Sequence, residues 1–371
     1  MKIGVITIHY ANSYGGVLQA YATQKILSYY GDVEIINYQK KHLADGLRVI
    51  RWGTRPMDVL RVGKDLLRYV PRKKLVMKFK SFIEENLNCT KKIGTQSELR
   101  VHSEKYHILV VGSDQVWNPN IVGGPDKNFL LEFSNSKNKI SFSSSYGGYA
   151  FEESQLGELI SILEKFRRIA VREQSSCKQL QSKLPSHEIK VTLDPTLLLN
   201  PTEWLKFTTT KKPFDNNYIL VYLLGSDGLL SETVKLIKEL SGLAIITINQ
   251  DPYVGFKSDL HIRDAGPSDF VNYFRHAEFV ITNSFHGTVF SINFEKEFIT
   301  LPPGSGANRI TDLLKELNLS NRYVSQISQV STTAKKKIDY LPVNEKLTEM
   351  RNLSNEFLKE AIESCVPNNE A

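Results

Sequence analysis

The run Thr282-Asn283-Ser284-Phe285-His286-Gly287-Thr288 puts a helix cap, an imidazole and a glycine within one turn. It follows the apolar stretch Glu278–Ile281 and precedes an apolar helix. Asn283 or Ser284 is a good N-cap type, so the amides of the next turn are left pointing outward. A helix start of this kind attracts anions. Gly287 lets a ligand come close to the backbone, and His286 stands where it can hand a proton to a leaving oxyanion. The competing reading is a histidine that caps a helix or packs in a core. The coincidence of strand, cap, His and Gly favours chemistry.

A second run, Gly112-Ser113-Asp114-Gln115-Val116-Trp117-Asn118, also follows a strand. Ser113, Gln115 and Asn118 suit sugar hydroxyls, Trp117 offers a face for stacking, and Asp114 is a candidate general base. The equal alternative is a capped strand-to-helix turn with Trp117 in the core. Arg172, in Ala170-Val171-Arg172-Glu173, suits a bidentate grip on a carboxylate or phosphate, or else a local pair with Glu173. Asp194, before Pro195, reads first as a turn and cap. Arg309 is a second candidate phosphate arm or a solvated cation. Asn12, Tyr14, Gly15 and Gly16 form a glycine-containing loop, but the GxGxxG pattern is absent and dinucleotide binding is not supported.

The elements that must position these residues alternate. Apolar runs at 3–8, 33–37, 107–111, 139–145, 168–171 and 190–193 read as strands, with amphipathic stretches between them. After Pro201 the pattern restarts with strands at 218–223, 244–248, 279–282 and 298–301 and ends in a helix over 344–364. Two α/β halves joined near residue 200 predict doubly wound sheets and a cleft between them, with ligands outside the carboxyl ends of the strands.

Composition sets the bounds. The 371 residues predict two domains, and 41% hydrophobic with 23% charged residues excludes a disordered chain. The net charge is +7, yet residues 39–80 hold thirteen Lys and Arg against three Asp, so that segment alone carries more than the whole excess. Val59, Leu60, Val62, Leu66, Leu67 and Val70 lie within it at roughly helical spacing. The segment is thus either a basic amphipathic helix for an anionic membrane, with Arg72, Lys73 and Lys74 on headgroups, or a solvated face of its own domain. No RNA-binding or zinc-finger pattern accompanies it, and no nucleic-acid partner is expected. Three scattered cysteines predict neither a disulfide framework nor a metal site. No apolar run reaches the roughly 18 residues of a bilayer span. A cytoplasmic protein, at most peripheral at the inner membrane face, is expected.

In this order and spacing the motifs resemble the polysaccharide pyruvyl transferases. The resemblance starts at Asn-Ser-Tyr-Gly-Gly-Val-Leu-Gln-Ala-Tyr-Ala (12–22) and runs through Gly112–Asn118, Val171-Arg172-Glu173 and Leu193–Thr196 to Thr282–Gly287. It implies a GT-B-like fold, two Rossmann-like α/β domains facing across a cleft. Residues 1–198, with the basic segment 39–80, would form the acceptor side and 199–342 the donor side, with 343–371 a helix returning to the first domain. It implies transfer of pyruvate from phosphoenolpyruvate to two hydroxyls of a hexose, in exopolysaccharide or capsule synthesis, giving a cyclic ketal and phosphate without a further cofactor. His286 would be the general acid and Arg172 and Arg309 the donor's anchors. One position departs from the family: several members have Arg where Ser284 stands, which turns donor anchoring over to Ser284, Gly287 and Thr288 or to another cation. Acceptor contacts would fall to Asn12, Tyr14, Gly15, Ser113, Gln115, Trp117 and Asn118, with a lipid-linked glycan as acceptor. The alternatives are a GT-B glycosyltransferase using a nucleotide sugar and a non-catalytic glycan- or membrane-binding scaffold.

Overall fold

The computed structural model describes residues 1–51, 56–225, 228–304 and 306–366, and their side chains apart from 56–59 and 64. It divides into two compact units. One comprises Met1–Gly46, Ile83–Leu199 and the segment from Leu347 on; the other comprises Leu47–Phe82 and Asn200–Lys346.

The first unit holds β1 (Lys2–Ile6), β2 (Asp32–Ile35), β3 (Ile108–Val111), β4 (Lys139–Ser144), β5 (Arg168–Val171) and β6 (Ile189–Val191). They form one parallel sheet in the order β2-β1-β3-β4-β5-β6. All four residues of β3 (Ile-Leu-Val-Val) are buried, the composition of a parallel strand covered on both faces. Leu109, Val111, Phe129, Leu163 and Ile169 share its core. The chain steps from β1 to β2 on one side and returns to β3 on the other. The point where the strand order reverses therefore lies between β1 and β3, the place where open parallel sheets generally bind ligands. Helix Tyr14–Leu27 starts at that point, with the Ser13 side chain accepting from the Gly16 N–H. The helix Tyr340–Glu363 belongs to this unit from Leu347 on. Its Ser354 hydroxyl accepts from the Leu193 N–H at 3.0 Å, and Arg351 Nε donates to the Leu197 carbonyl at 2.6 Å.

The second unit holds β7 (Tyr218–Tyr222), β8 (Ala244–Ile248), β9 (Leu260–Ile262), β10 (Phe279–Thr282) and β11 (Glu297–Thr300). This sheet is also parallel, in the order β11-β10-β7-β8-β9, and reverses between β7 and β10. β9 was not expected: three half-buried residues at a sheet edge leave no apolar run to read.

The basic segment corrects the expected domain division. The structure groups Leu47–Phe82 with the second unit, not with the first half of the chain. Helices Pro56–Leu67 and Tyr69–Asn86 carry it. Arg68 pairs with Asp251 at 3.1 Å, Arg72 donates to Gln250 Oε1 at 3.0 Å, Lys78 pairs with Asp269 at 2.7 Å, and the Phe82 ring packs edge-on against Phe207. These partners lie far away in sequence, beyond what local spacing reveals. Residues 52–55, with Arg55, lie outside the described residues, as do residue 305 of the 302–307 loop and 367–371 of the terminal segment.

Candidate active site

In the second unit β10 runs into the turn that starts helix Phe285–Asn293. Ser284 is the cap, and its hydroxyl accepts from the Gly287 N–H at 3.3 Å. Asn283 does something else. Its Oδ1 accepts from the Leu224 N–H at 2.8 Å and its Nδ2 donates to the Leu224 carbonyl at 3.1 Å. Leu224 follows β7, so Asn283 ties together the two loops that border the sheet's reversal point. The Tyr222 phenol is buried and hydrogen-bonded to Ser284; burial pushes its pKa up and that bond offsets part of the rise. His286 sits in the first helical turn, buried to 8% exposure, with its ring edge-on to Phe285 at 5.2 Å. The Arg309 guanidinium lies over the same Phe285 ring at 5.7 Å, and its Nε donates to the Gly306 carbonyl. An imidazole and a guanidinium thus share one aromatic neighbour at the carboxyl end of β10.

In the first unit Asp114 follows β3 with a φ of 72°. That left-handed conformation costs a residue bearing a Cβ, and strain of this kind concentrates at functional sites. A Cβ placed on Gly16 would lie 3.5 Å from Asp114 Oδ2, so the carboxylate sits over the first turn of helix Tyr14–Leu27. Two buried residues brace this reversal point. Thr7 Oγ1 donates to the Ser113 carbonyl at 2.8 Å, and Gln19 Nε2 donates at 2.9 Å to Thr7 Oγ1 and to the carbonyls of Ile8 and Gly16.

A family model for polysaccharide pyruvyl transferase matches residues 14–305, most of the chain. The chain belongs to this family. It is therefore a transferase of polysaccharide pyruvylation. No curated protein matches it. Among solved structures it is similar to UDP-GlcNAc 2-epimerase from Neisseria meningitidis bound to UDP-GlcNAc, at 13% identity and a TM-score of 0.57, over 98% of this chain and 100% of that one. The S. aureus MnaA–UDP co-structure follows at 12% and 0.55, over 100% and 99%. UDP-GlcNAc 2-epimerase from Methanocaldococcus jannaschii, in complex with UDP-GlcNAc and UDP, gives 16% and 0.53, over 91% and 94%. At these identities the likeness concerns the fold alone, which is GT-B-like.

Within this pyruvyl transferase several of the expected ligand contacts make internal hydrogen bonds. Arg172 is buried: its Nη1 donates to Asp194 Oδ2 at 2.7 Å, its Nε to Glu173 Oε1 at 3.2 Å, and its Nη2 lies 3.9 Å from Asp114 Oδ1. Burial alone would lower its pKa, but the three carboxylates outweigh that and hold the guanidinium fully charged. An arginine so occupied holds Asp114 and Asp194 in place. The fully buried Ser113 hydroxyl donates to the same Asp194 Oδ2 at 2.9 Å. Trp117 is buried in the core with its indole N–H donating to the Phe129 carbonyl. Asn118 caps the short helix Pro119–Val122 and donates to Gln115 Oε1 at 2.8 Å. Tyr14 and Gly15 are buried inside their helix, while Asn12 is half-buried beside Gly46.

Gly287 also changes meaning. A Cβ there would fall 2.1 Å from Thr282 Oγ1, so close helix-to-strand packing itself requires the glycine. The Thr288 hydroxyl is buried against the Ser284 carbonyl and Thr300 Oγ1. Sequence reasoning missed Thr7, Gln19 and Tyr222. A readable signal existed only for Gln19, a lone amide amid Val17, Leu18 and Ala20.

Proposed function

We propose that the protein moves pyruvate from phosphoenolpyruvate onto two hydroxyls of one hexose in a lipid-linked polysaccharide precursor, forming a cyclic ketal and releasing phosphate. The observation that carries this reading is the contact of His286 and Arg309 with one Phe285 ring at the carboxyl end of β10. A fixed cation beside a proton donor suits a small enol phosphate: Arg309 pairs with its phosphate or carboxylate, and His286 supplies a proton.

The chemistry balances with donor and acceptor alone. One proton adds to the methylene carbon, which becomes the ketal methyl group and leaves C2 an oxocarbenium-like centre. The first hydroxyl oxygen bonds to C2 and loses its proton. The second does the same as the C2–O bond to phosphate breaks and phosphate departs with a proton. Of the two protons the hydroxyls release, one replaces that added to carbon and one leaves with phosphate. We assign the acceptor to the first unit, where Asp114 takes a hydroxyl proton and Asn12 and Gln115 are the polar side chains still partly open.

The test is incubation with phosphoenolpyruvate and a panel of lipid-linked hexosides, read as phosphate released and as the mass added to the acceptor. His286→Ala is expected to lower kcat by about 100-fold or more, and Arg309→Ala to raise the KM for phosphoenolpyruvate. Near-normal phosphate release by His286→Ala would overturn the assignment. A rise in Tm with a nucleoside diphosphate, and none with phosphoenolpyruvate, would point to glycosyl transfer instead.

A further inference from the structure

At the junction of the two helices of the basic segment the usual arrangement is reversed. Asp65, Arg68 and Arg72 face inward at 0, 7 and 2% exposure, whereas Leu66, Leu67, Val70 and Met77 stand 57, 85, 62 and 60% exposed. The inward charges are satisfied among themselves. Asp65 accepts from Arg51 at 2.7 Å and from Arg68 at 3.0 Å, and Arg72 Nε donates to the carbonyls of Arg48 and Val49. Further down the second helix Leu75, Val76, Phe79 and Phe82 are buried, whereas Leu66, Leu67, Val70 and Met77 stand outward. Down the second helix, Val70, Lys73, Lys74, Met77 and Lys80 recur at helical spacing, all of them exposed.

Four large apolar side chains standing exposed within twelve residues mark a contact surface. Its chemistry selects the partner. Lysine is depleted from the cores of protein interfaces, but on a membrane surface it lies beside apolar side chains, its stem in the boundary and its head on phosphate. Residues 66–80 include no Asp or Glu of their own, and the carboxylates beside them are paired, Asp251 with Arg68, Asp264 with Lys74 at 4.0 Å and Asp269 with Lys78. Among the described residues no helix is long and apolar enough to cross a membrane, so the contact is with one face only.

We propose that the elbow between these two helices docks the protein on an anionic bilayer, Leu66, Leu67, Val70 and Met77 entering the acyl boundary while Lys73, Lys74 and Lys80 meet headgroup phosphates. Arg72, a headgroup contact by sequence spacing, has no part in this because its guanidinium is turned inward.

The test uses the full chain and vesicles of phosphatidylglycerol mixed with phosphatidylcholine, against phosphatidylcholine alone. Binding is expected to the anionic vesicles and to weaken with salt. Lys73→Glu combined with Lys74→Glu lowers the affinity at least about tenfold, and Leu66→Ser, Leu67→Ser and Val70→Ser together do the same, with Tm unchanged because these side chains are exposed. Leu67→Trp, a conservative reporter, shifts its emission to the blue on anionic vesicles and is quenched by brominated acyl chains. Binding that survives the triple serine variant, or emission from the Leu67→Trp indole that brominated chains fail to quench, overturns the proposal. So does a concentration-dependent dimer that the triple variant dissolves in the absence of vesicle binding, which would make a second copy the occupant. Vesicle binding needs no turnover, so this outcome is independent of the pyruvyl-transfer reading.

Discussion

Arg172 donates to Asp194 at 2.7 Å, and both side chains are withdrawn from solvent. Ser113 shares the same carboxylate oxygen, and the Asp194 Oδ1 accepts from the Thr196 N–H. The loop after β3, the end of β5 and the turn after β6 are thereby joined by one carboxylate. Removing a partner from such a pair strands a buried charge, at a cost of about 3–5 kcal/mol. Arg172→Ala and Asp194→Ala are therefore expected to lower the urea midpoint substantially, with Arg172→Lys intermediate because it keeps charge but loses the planar fork. If Arg172→Ala raised only the KM for phosphoenolpyruvate and left unfolding unchanged, Arg172 would be a donor contact after all.

Gly287 faces Thr282 so closely that a methyl group would overlap its hydroxyl. Gly287→Ala should cost about 1–3 kcal/mol through overpacking and displace the first turn that carries His286. Thr282→Ala in the same chain removes the clashing oxygen and is expected to restore part of the Tm. A double-mutant cycle with no coupling would show that the strand and helix adjust independently.

Asp114 holds a left-handed backbone that glycine adopts freely. If the strain serves chemistry, Asp114→Gly leaves stability within about 1 kcal/mol of wild type while pyruvyl transfer collapses. Asp114→Asn, which tolerates the same φ and loses the charge, should also be inactive. Thermal melting beside phosphate release separates the two effects, and an active Asp114→Asn enzyme would remove Asp114 from catalysis.

Asp65 gives the fold an acid limit. Burial pushes its pKa up, but hydrogen bonds from Arg51 and Arg68 outweigh this and bring it from 3.8 to about 2. A pKa depressed on folding contributes stability above the unfolded value and loses it as pH falls through the folded one. The contribution is about 2 kcal/mol. The gap in unfolding free energy between wild type and Asp65→Asn should close between about pH 4 and about pH 2. A gap that stayed constant over that window would mean that Asp65 is not ionised in the fold.

How much could be read beforehand depended on range. The strands were legible because parallel strands are apolar runs: 168–171, 244–248 and 279–282 fall where β5, β8 and β10 are found. His286 at a helix start beyond a strand was legible for the same reason, since cap, strand and helix are all local. The side chains that connect distant segments were not. Arg172 and Asp194 are 22 positions apart and Leu224 and Asn283 are 59 apart, and no periodicity reports such pairs.

The sequence by itself determined the two α/β halves, the family and the turn that carries His286, because hydrophobic runs, caps and motif order are written in neighbouring residues. Only the tertiary structure decided which polar side chains remain open. A ligand and a buried carboxylate offer an arginine the same hydrogen bonds, so Arg172 and Arg309 are indistinguishable until their neighbours are known. The same holds for the basic segment. Spacing leaves open whether its leucines meet a membrane or pack on their own domain; in the structure Asp65, Asp251 and Gln250 take Arg68 and Arg72 inward, and Leu60, Leu66 and Leu67 stand at the surface.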